Sequence, residues 1–152
     1  MNAAKPVPKG FHTVTPYITA QGADKVIAFM QQAFGAEFDH EPMKRPDGGL
    51  MHATLKIGDS MVMIAEAPEP AKAMPVSLYL YLPNVDAAYQ LAIKAGATSL
   101  MEPADQFYGD RCGGVKDPAG NQWFLATHIE DVKVAELKRR AEEFFKKQGK
   151  AA

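Results

Sequence analysis

The chain has 152 residues, with 17 Lys plus Arg against 18 Asp plus Glu, which is the size of one ordinary domain or two small fused modules. A net charge of -1 with both signs interspersed gives no electrostatic footprint for nucleic acid or an anionic membrane. The lone Cys112 excludes an internal disulfide and a multi-cysteine zinc site, and no apolar run reaches the roughly 20 residues that span a bilayer.

Along the chain, residues 1–10 are polar and Pro-containing and are expected to form a flexible arm. Lys5, Pro6, Pro8 and Lys9 stand where a secretory signal would need an apolar core, so a cytoplasmic protein is expected. A strand is predicted over His12 to Thr19. Val26, Ile27, Met30, Ala33 and Phe34 then fall on one helical face, and Gly35 sits at the C-cap position. Strands follow at Ala36 to Arg45, Leu50 to Ile57 and Ser60 to Glu66, joined by Pro46-Asp47-Gly48-Gly49 and Gly58-Asp59.

After a Pro- and Ala-rich connector, Ala67 to Pro75, the order recurs. A strand over Val76 to Leu82 precedes a helix from an Asn84 cap to Ala95, and strands follow near Thr98 to Glu102, Arg111 to Lys116 and Asn121 to Ile129. Asp117-Pro118-Ala119-Gly120 is turn chemistry between the last two. Phe34-Gly35-Ala36 and Ala95-Gly96-Ala97 end the two helices alike, a repeat of about 61 residues that indicates duplication. Beyond Asp131, Val134, Leu137, Ala141 and Phe144 form the stripe of an amphipathic C-terminal helix.

The expected fold is therefore α+β, with two tandem βαβββ modules in a curled mixed sheet plus a C-terminal helix. The expected boundaries are an arm at 1–10, one domain at 11–130 (modules about 11–67 and 76–130) and a helix and tail at 131–152. This pattern resembles the vicinal oxygen chelate superfamily of glyoxalase I, extradiol dioxygenases and bleomycin-resistance proteins, and within it the PhnB-like branch. The residues that carry the resemblance are Val14-Thr15-Pro16-Tyr17, Ala33-Phe34-Gly35-Ala36, Met51-His52-Ala53, Lys56-Ile57-Gly58-Asp59-Ser60 and Tyr108 through His128. The fold alone does not choose between lyases, isomerases, dioxygenases and binding proteins.

In metal-dependent members of the superfamily, a His or Gln on the first strand and a Glu on the last strand of each module hold the ion. The resemblance places Thr15, Met63, Ser77 and Phe124 at those positions, a poor donor set for a divalent cation. No cofactor is expected, a divalent metal on other ligands being the alternative. Strand alternation puts Glu66 on the helix side.

In that superfamily the modules curl into a cup, and the same parity places His52, Thr54, Lys56, Met61, Met63 and Ala65 in it, with Met51, Ala53, Leu55 and Ile57 on the core face. Ser77, Tyr79, Tyr81, Gln122, Phe124, Ala126 and His128 line the other half. A concave surface of Met, Phe and Tyr with a few polar groups suits a small ligand, mostly apolar or anionic. His52 is the candidate general base or ligand contact, against a histidine satisfied by a neighbouring strand. Arg111 would clamp an anion or pair with an acid such as Asp110, and Tyr108 would stand at the rim. Cys112 is read as packing, and His128 as a capping or packing residue. Two functions are weighed: a metal-free small-molecule binder, as a homodimer, and an enzyme that uses atypical metal ligands or His52 proton transfer.

Overall fold

A computed structural model describes residues 4–151. Two mixed sheets wrap two helices, and a third helix follows. The first module runs β1 (Tyr17–Ala20), α1 (Ala23–Phe34), β2 (Glu37–Phe38), β3 (Met43–Lys44), β4 (Leu50–Ile57) and β5 (Ser60–Glu66). The second runs β6 (Ser77–Tyr81), α2 (Val85–Lys94), β7 (Thr98–Asp105), β8 (Asp110–Lys116) and β9 (Gln122–His128), and α3 spans Val134–Ala151. The sheets are ordered β1-β5-β4-β2, with β3 also on β4, and β6-β9-β8-β7; β1 on β5 and β6 on β9 are the parallel pairs.

Where turn residues bracket an alternating run, strand limits match the expectation, as in β4 and β5 around Gly58-Asp59. Three segments differ. The first strand begins at Tyr17 rather than His12, because Pro16 has no N–H to donate and residues 12–15 are held locally, Thr15 Oγ1 donating to the His12 carbonyl at 3.1 Å. The expected Ala36 to Arg45 strand is two two-residue pieces, interrupted before Pro42 and bulged between Met43 and Lys44. β7 runs past Pro103 to Asp105, which a proline permits because β7 is the sheet edge.

Residues 1–3 of the expected arm lie outside the described residues. The remainder makes a turn, Phe11 N donating to the Pro8 carbonyl, with Gly10 against the Met61 methyl. Met61 is thereby buried despite its concave orientation.

One core serves both modules. Ile18, Phe29, Met30, Leu55, Ile64, Trp123 and Leu125 are buried within it. Trp123 of the second module lies 6.1 Å from Phe29 and 5.1 Å from Phe34 of α1, centroid to centroid. Burying such a side chain contributes about 2–3 kcal/mol. Ala53, Leu55 and Ile57 face this core as expected, but Met51 is 55 % exposed, since the β4–β5 pairing ends at Ala53 and leaves Met51 beyond the packed layer.

In each module the last strand holds the start of that module's helix. Glu66 accepts from Gly22 N at 2.9 Å and Ala23 N at 2.7 Å, neutralising free donors at the α1 N-terminus. Thr127, one repeat later, accepts from Val85 N at 2.9 Å and donates to the Leu82 carbonyl at 2.8 Å. Asn84 Oδ1 adds a conventional cap on Ala87 N. At the other end of α1, Gly35 takes the left-handed φ of 64° that closes the helix.

Candidate functional site

The site begins with the turn between β8 and β9. Asp117 accepts from Ala119 N, Asn121 N, Asn121 Nδ2 and Trp123 Nε1, all within 3.0 Å, and Asn121 Oδ1 receives Val76 N. This fixed turn sets the hairpin register at Lys116 opposite Gln122, and the count outward puts Gly114 opposite Phe124, Cys112 opposite Ala126 and Asp110 opposite His128. β6 adds Tyr79 beside Phe124 and Tyr81 beside Ala126. One concave face therefore carries Tyr79, Tyr81, Asp110, Cys112, Phe124 and His128.

Asp110 organises it. Its side chain is nearly inaccessible, and it accepts Tyr79 Oη–H at 2.8 Å, Tyr81 Oη–H at 3.0 Å and His128 Nδ1–H at 2.8 Å. His128 Nε2 reaches the exposed Asp131 at 2.8 Å. The backbone before Asp110 is pinned: Gly109 has φ 98°, a Cβ there would collide with the Glu130 carbonyl, and Ile129 N and Glu130 N both donate to the Gly109 carbonyl. α3 reinforces the same loop through Arg140 on Glu130 and on the Phe107 carbonyl, and through Phe144 packed 5.1 Å from Phe107.

Burial works against ionisation of Asp110, but the bonds from His128, Tyr79 and Tyr81 outweigh it and hold its carboxyl below the usual range. The bonds to Asp110 and Asp131 push His128 up, favouring the imidazolium. Burial, with Tyr108 and Asp110 beside it, pushes the Tyr79 phenol well up, and its bond to Asp110 does the same for Tyr81. These tyrosines stay neutral and their hydroxyl protons are committed. Their rings remain available: Tyr79 is 43 % and Tyr81 65 % exposed, with Tyr79 stacked on Phe124 at 6.5 Å. A groove of about 530 Å³, lined by Pro16, Ile57, Leu78, Leu80, Tyr79 and Tyr81, adjoins the open edge of β6.

On the first sheet, His52 stacks on Tyr17 at 5.8 Å and its Nε2 lies 3.1 Å from the buried Thr54 Oγ1. Met63 pairs with both Thr54 and Tyr17. Among the described residues no hydrogen bond or ring contact joins this group to the tyrosines of the second sheet. The candidates thus fall into two clusters: His52 with Met63, and Tyr79, Tyr81 and Phe124 with Tyr108 near the loop. Ser77 is exposed at the far end of the second sheet, opposite Gln122.

Arg111 takes the second of its two expected roles, pairing with acids, though with Asp86 and Asp105 rather than Asp110 and not toward the concave side. Adjacent to Asp110 on a strand, it points to the opposite face, where Nε and Nη2 grip both Asp86 oxygens at 2.8 and 2.9 Å and Nη1 meets Asp105 at 3.0 Å. It ties β8 to the start of α2 and presents nothing to the concave side. His128, read as a capping or packing residue, and Asp110, read only as a partner for Arg111, form the polar centre instead. The signal for them was the hairpin register counted back from Asp117.

The four expected ligand positions carry two hydroxyls, a thioether and a phenyl ring, at Thr15, Ser77, Met63 and Phe124, and the Thr15 hydroxyl is spent on the His12 carbonyl. That set does not fit a divalent ion. His128 does not substitute, since both its nitrogens are engaged by carboxylates.

Residues 10–125 match the model of the Glyoxalase/Bleomycin resistance protein/Dioxygenase superfamily. Uncharacterized proteins of Mycobacterium bovis and Mycobacterium tuberculosis are each 34 % identical over 136 residues, 82 % of this chain, covering 88 % and 79 % of the relatives respectively. Among solved structures, TioX from Micromonospora sp. ML1 superposes with a TM-score of 0.63 at 21 % identity, over 78 % of this chain and 99 % of that one. A glyoxalase/bleomycin resistance protein/dioxygenase family enzyme from Burkholderia phytofirmans gives 0.58 at 20 %, over 76 % and 97 %. These structures share the fold, and with the family match they establish that the chain belongs to the glyoxalase/bleomycin resistance protein/dioxygenase superfamily.

Proposed function

We propose that this protein is a PhnB-like, metal-independent binder of a small planar molecule, held on the concave face of the second sheet. The observation that carries this reading is Asp110 with its three donors. A buried carboxylate that takes both tyrosine hydroxyls and an imidazole fixes large aromatic side chains in place, so that a ligand does not bear the entropy of ordering them. Exposed rings over a groove, with few convergent polar groups, suit ligand recognition better than bond-making.

Catalysis by proton transfer is less well supported. The tyrosine hydroxyls donate to Asp110, which favours their neutral form, and both His128 nitrogens face carboxylate oxygens, which favours the imidazolium; neither arrangement prepares a base. We further propose a cytoplasmic homodimer.

The test uses protein purified without chelator and the backbone amide spectrum of the labelled full chain. A library of planar fragments should shift Tyr79, Tyr81 and Phe124, and zinc, nickel or iron should change neither the spectrum nor the fragment affinities. One tightly bound ion per chain would overturn the metal-free assignment, and fragments that shift only the His52 and Tyr17 cluster would move the site to the first sheet.

A further inference from the structure

We infer that the concave face of the second sheet selects aromatic cations over anions; this deepens the binding function proposed above and rests on it. Tyr79 and Tyr81 each spend their single hydroxyl proton on Asp110, so toward a ligand they offer oxygen lone pairs and no donor. Both ring nitrogens of His128 lie 2.8 Å from a carboxylate oxygen, and only the imidazolium supplies a proton to each. The histidine therefore offers nothing outward. Tyr108, whose hydroxyl lies beside Tyr79, adds at most a single neutral donor at this end.

Charge points the same way. Asp110 and Asp131 against one imidazolium leave a net negative charge beside the rings. The cation nearest in sequence, Arg111, faces the other side and is neutralised by Asp86 and Asp105. Lys116 shares the strand's concave parity, but it stands opposite Gln122 at the far end of the hairpin, six residues from Asp110, or about 20 Å at strand rise. An anion at the tyrosines would meet acceptors, a negative field and aromatic faces of negative quadrupole. An ammonium or amidinium group would find all three favourable, with its ring seated on Tyr79 and Phe124.

The experiment titrates the isotope-labelled full chain with two probes of equal ring size and opposite charge, naphthylmethylammonium and naphthoate. The cation should shift Tyr79, Tyr81 and Phe124 and bind at least about tenfold more tightly than the anion. Asp131→Asn, a fully exposed change that neutralises one charge, should reduce that preference about threefold at unchanged thermal stability. Equal or tighter binding of naphthoate at this face would overturn the charge preference and leave the site standing. No response of these residues to either probe would overturn both.

Discussion

Trp123 donates its indole proton to Asp117 at 2.9 Å, so the largest buried side chain of the second module is fastened to the turn six residues before it. The turn and the core are one structure. Asp117→Ala would leave Trp123 Nε1 and Asn121 Nδ2 without their partner in a buried setting, at about 1–3 kcal/mol for each orphaned donor. A loss of about 3 kcal/mol is expected by urea unfolding, with the β8–β9 amides exchanging fastest; a change below about 1 kcal/mol would show that water replaces the carboxylate.

Glu66 and Thr127 are expected to act as remote helix caps. Glu66→Ala should cost about 1–2 kcal/mol and Thr127→Val about 1 kcal/mol, values typical of a lost N-cap. Hydrogen exchange should localise each loss to the first turn of α1 or α2 respectively. A uniform loss of protection would instead indicate general disturbance of the sheet.

The paired shifts of Asp110 and His128 set a pH dependence. His128 is raised above its ordinary 6.5, so its contribution is complete below about that pH and is lost as pH rises through the native value. Asp110 is lowered below its ordinary 3.8, so its contribution is present above that value and is lost as pH falls through the native one. Thermal stability should therefore be greatest in weakly acidic solution, between the two ordinary values, and decline as pH rises through the native His128 value. His128→Gln should flatten the alkaline side. An unchanged slope in that variant would assign the decline to other groups.

His52→Ala removes the partner of a buried hydroxyl, Thr54 Oγ1, and should cost about 1 kcal/mol. In a double-mutant cycle with Thr54→Val the two changes should be coupled by a similar amount. Additive effects would show that the imidazole acts through its stack on Tyr17 instead.

Arg111→Ala should lower stability by no more than about 1 kcal/mol, as an exposed pair does, and leave fragment binding at Tyr79 and Tyr81 unaltered. A binding defect would mean that β8 transmits the loss of the Asp86 clamp to its other face.

The sequence made most of the architecture readable where turn residues bracket alternating runs. Gly58-Asp59 fixed β4 and β5, and the parity drawn from that turn correctly sent Glu66 to the helix side and Thr54 and Met63 to the other. It failed where local signals conflict with tertiary context: Pro42 and a bulge split one expected strand, and Pro103 hid the extension of an edge strand. At the site, the aromatic members were visible by alternation. Asp110 was not, because alternation alone leaves open which of the adjacent charged residues Asp110 and Arg111 faces the rings, and only the hairpin register decides it.

The contact of Trp123 with Phe29 and Phe34 also governs how the halves of the chain depend on each other. Each half latches its own helix, yet neither carries a complete apolar interior, since α1 completes its packing on a ring supplied almost ninety residues later. A cut in the Ala67 to Pro75 connector would therefore yield two fragments that are unstructured alone and regain order by finding each other, so the duplication has made one folding unit from two copies.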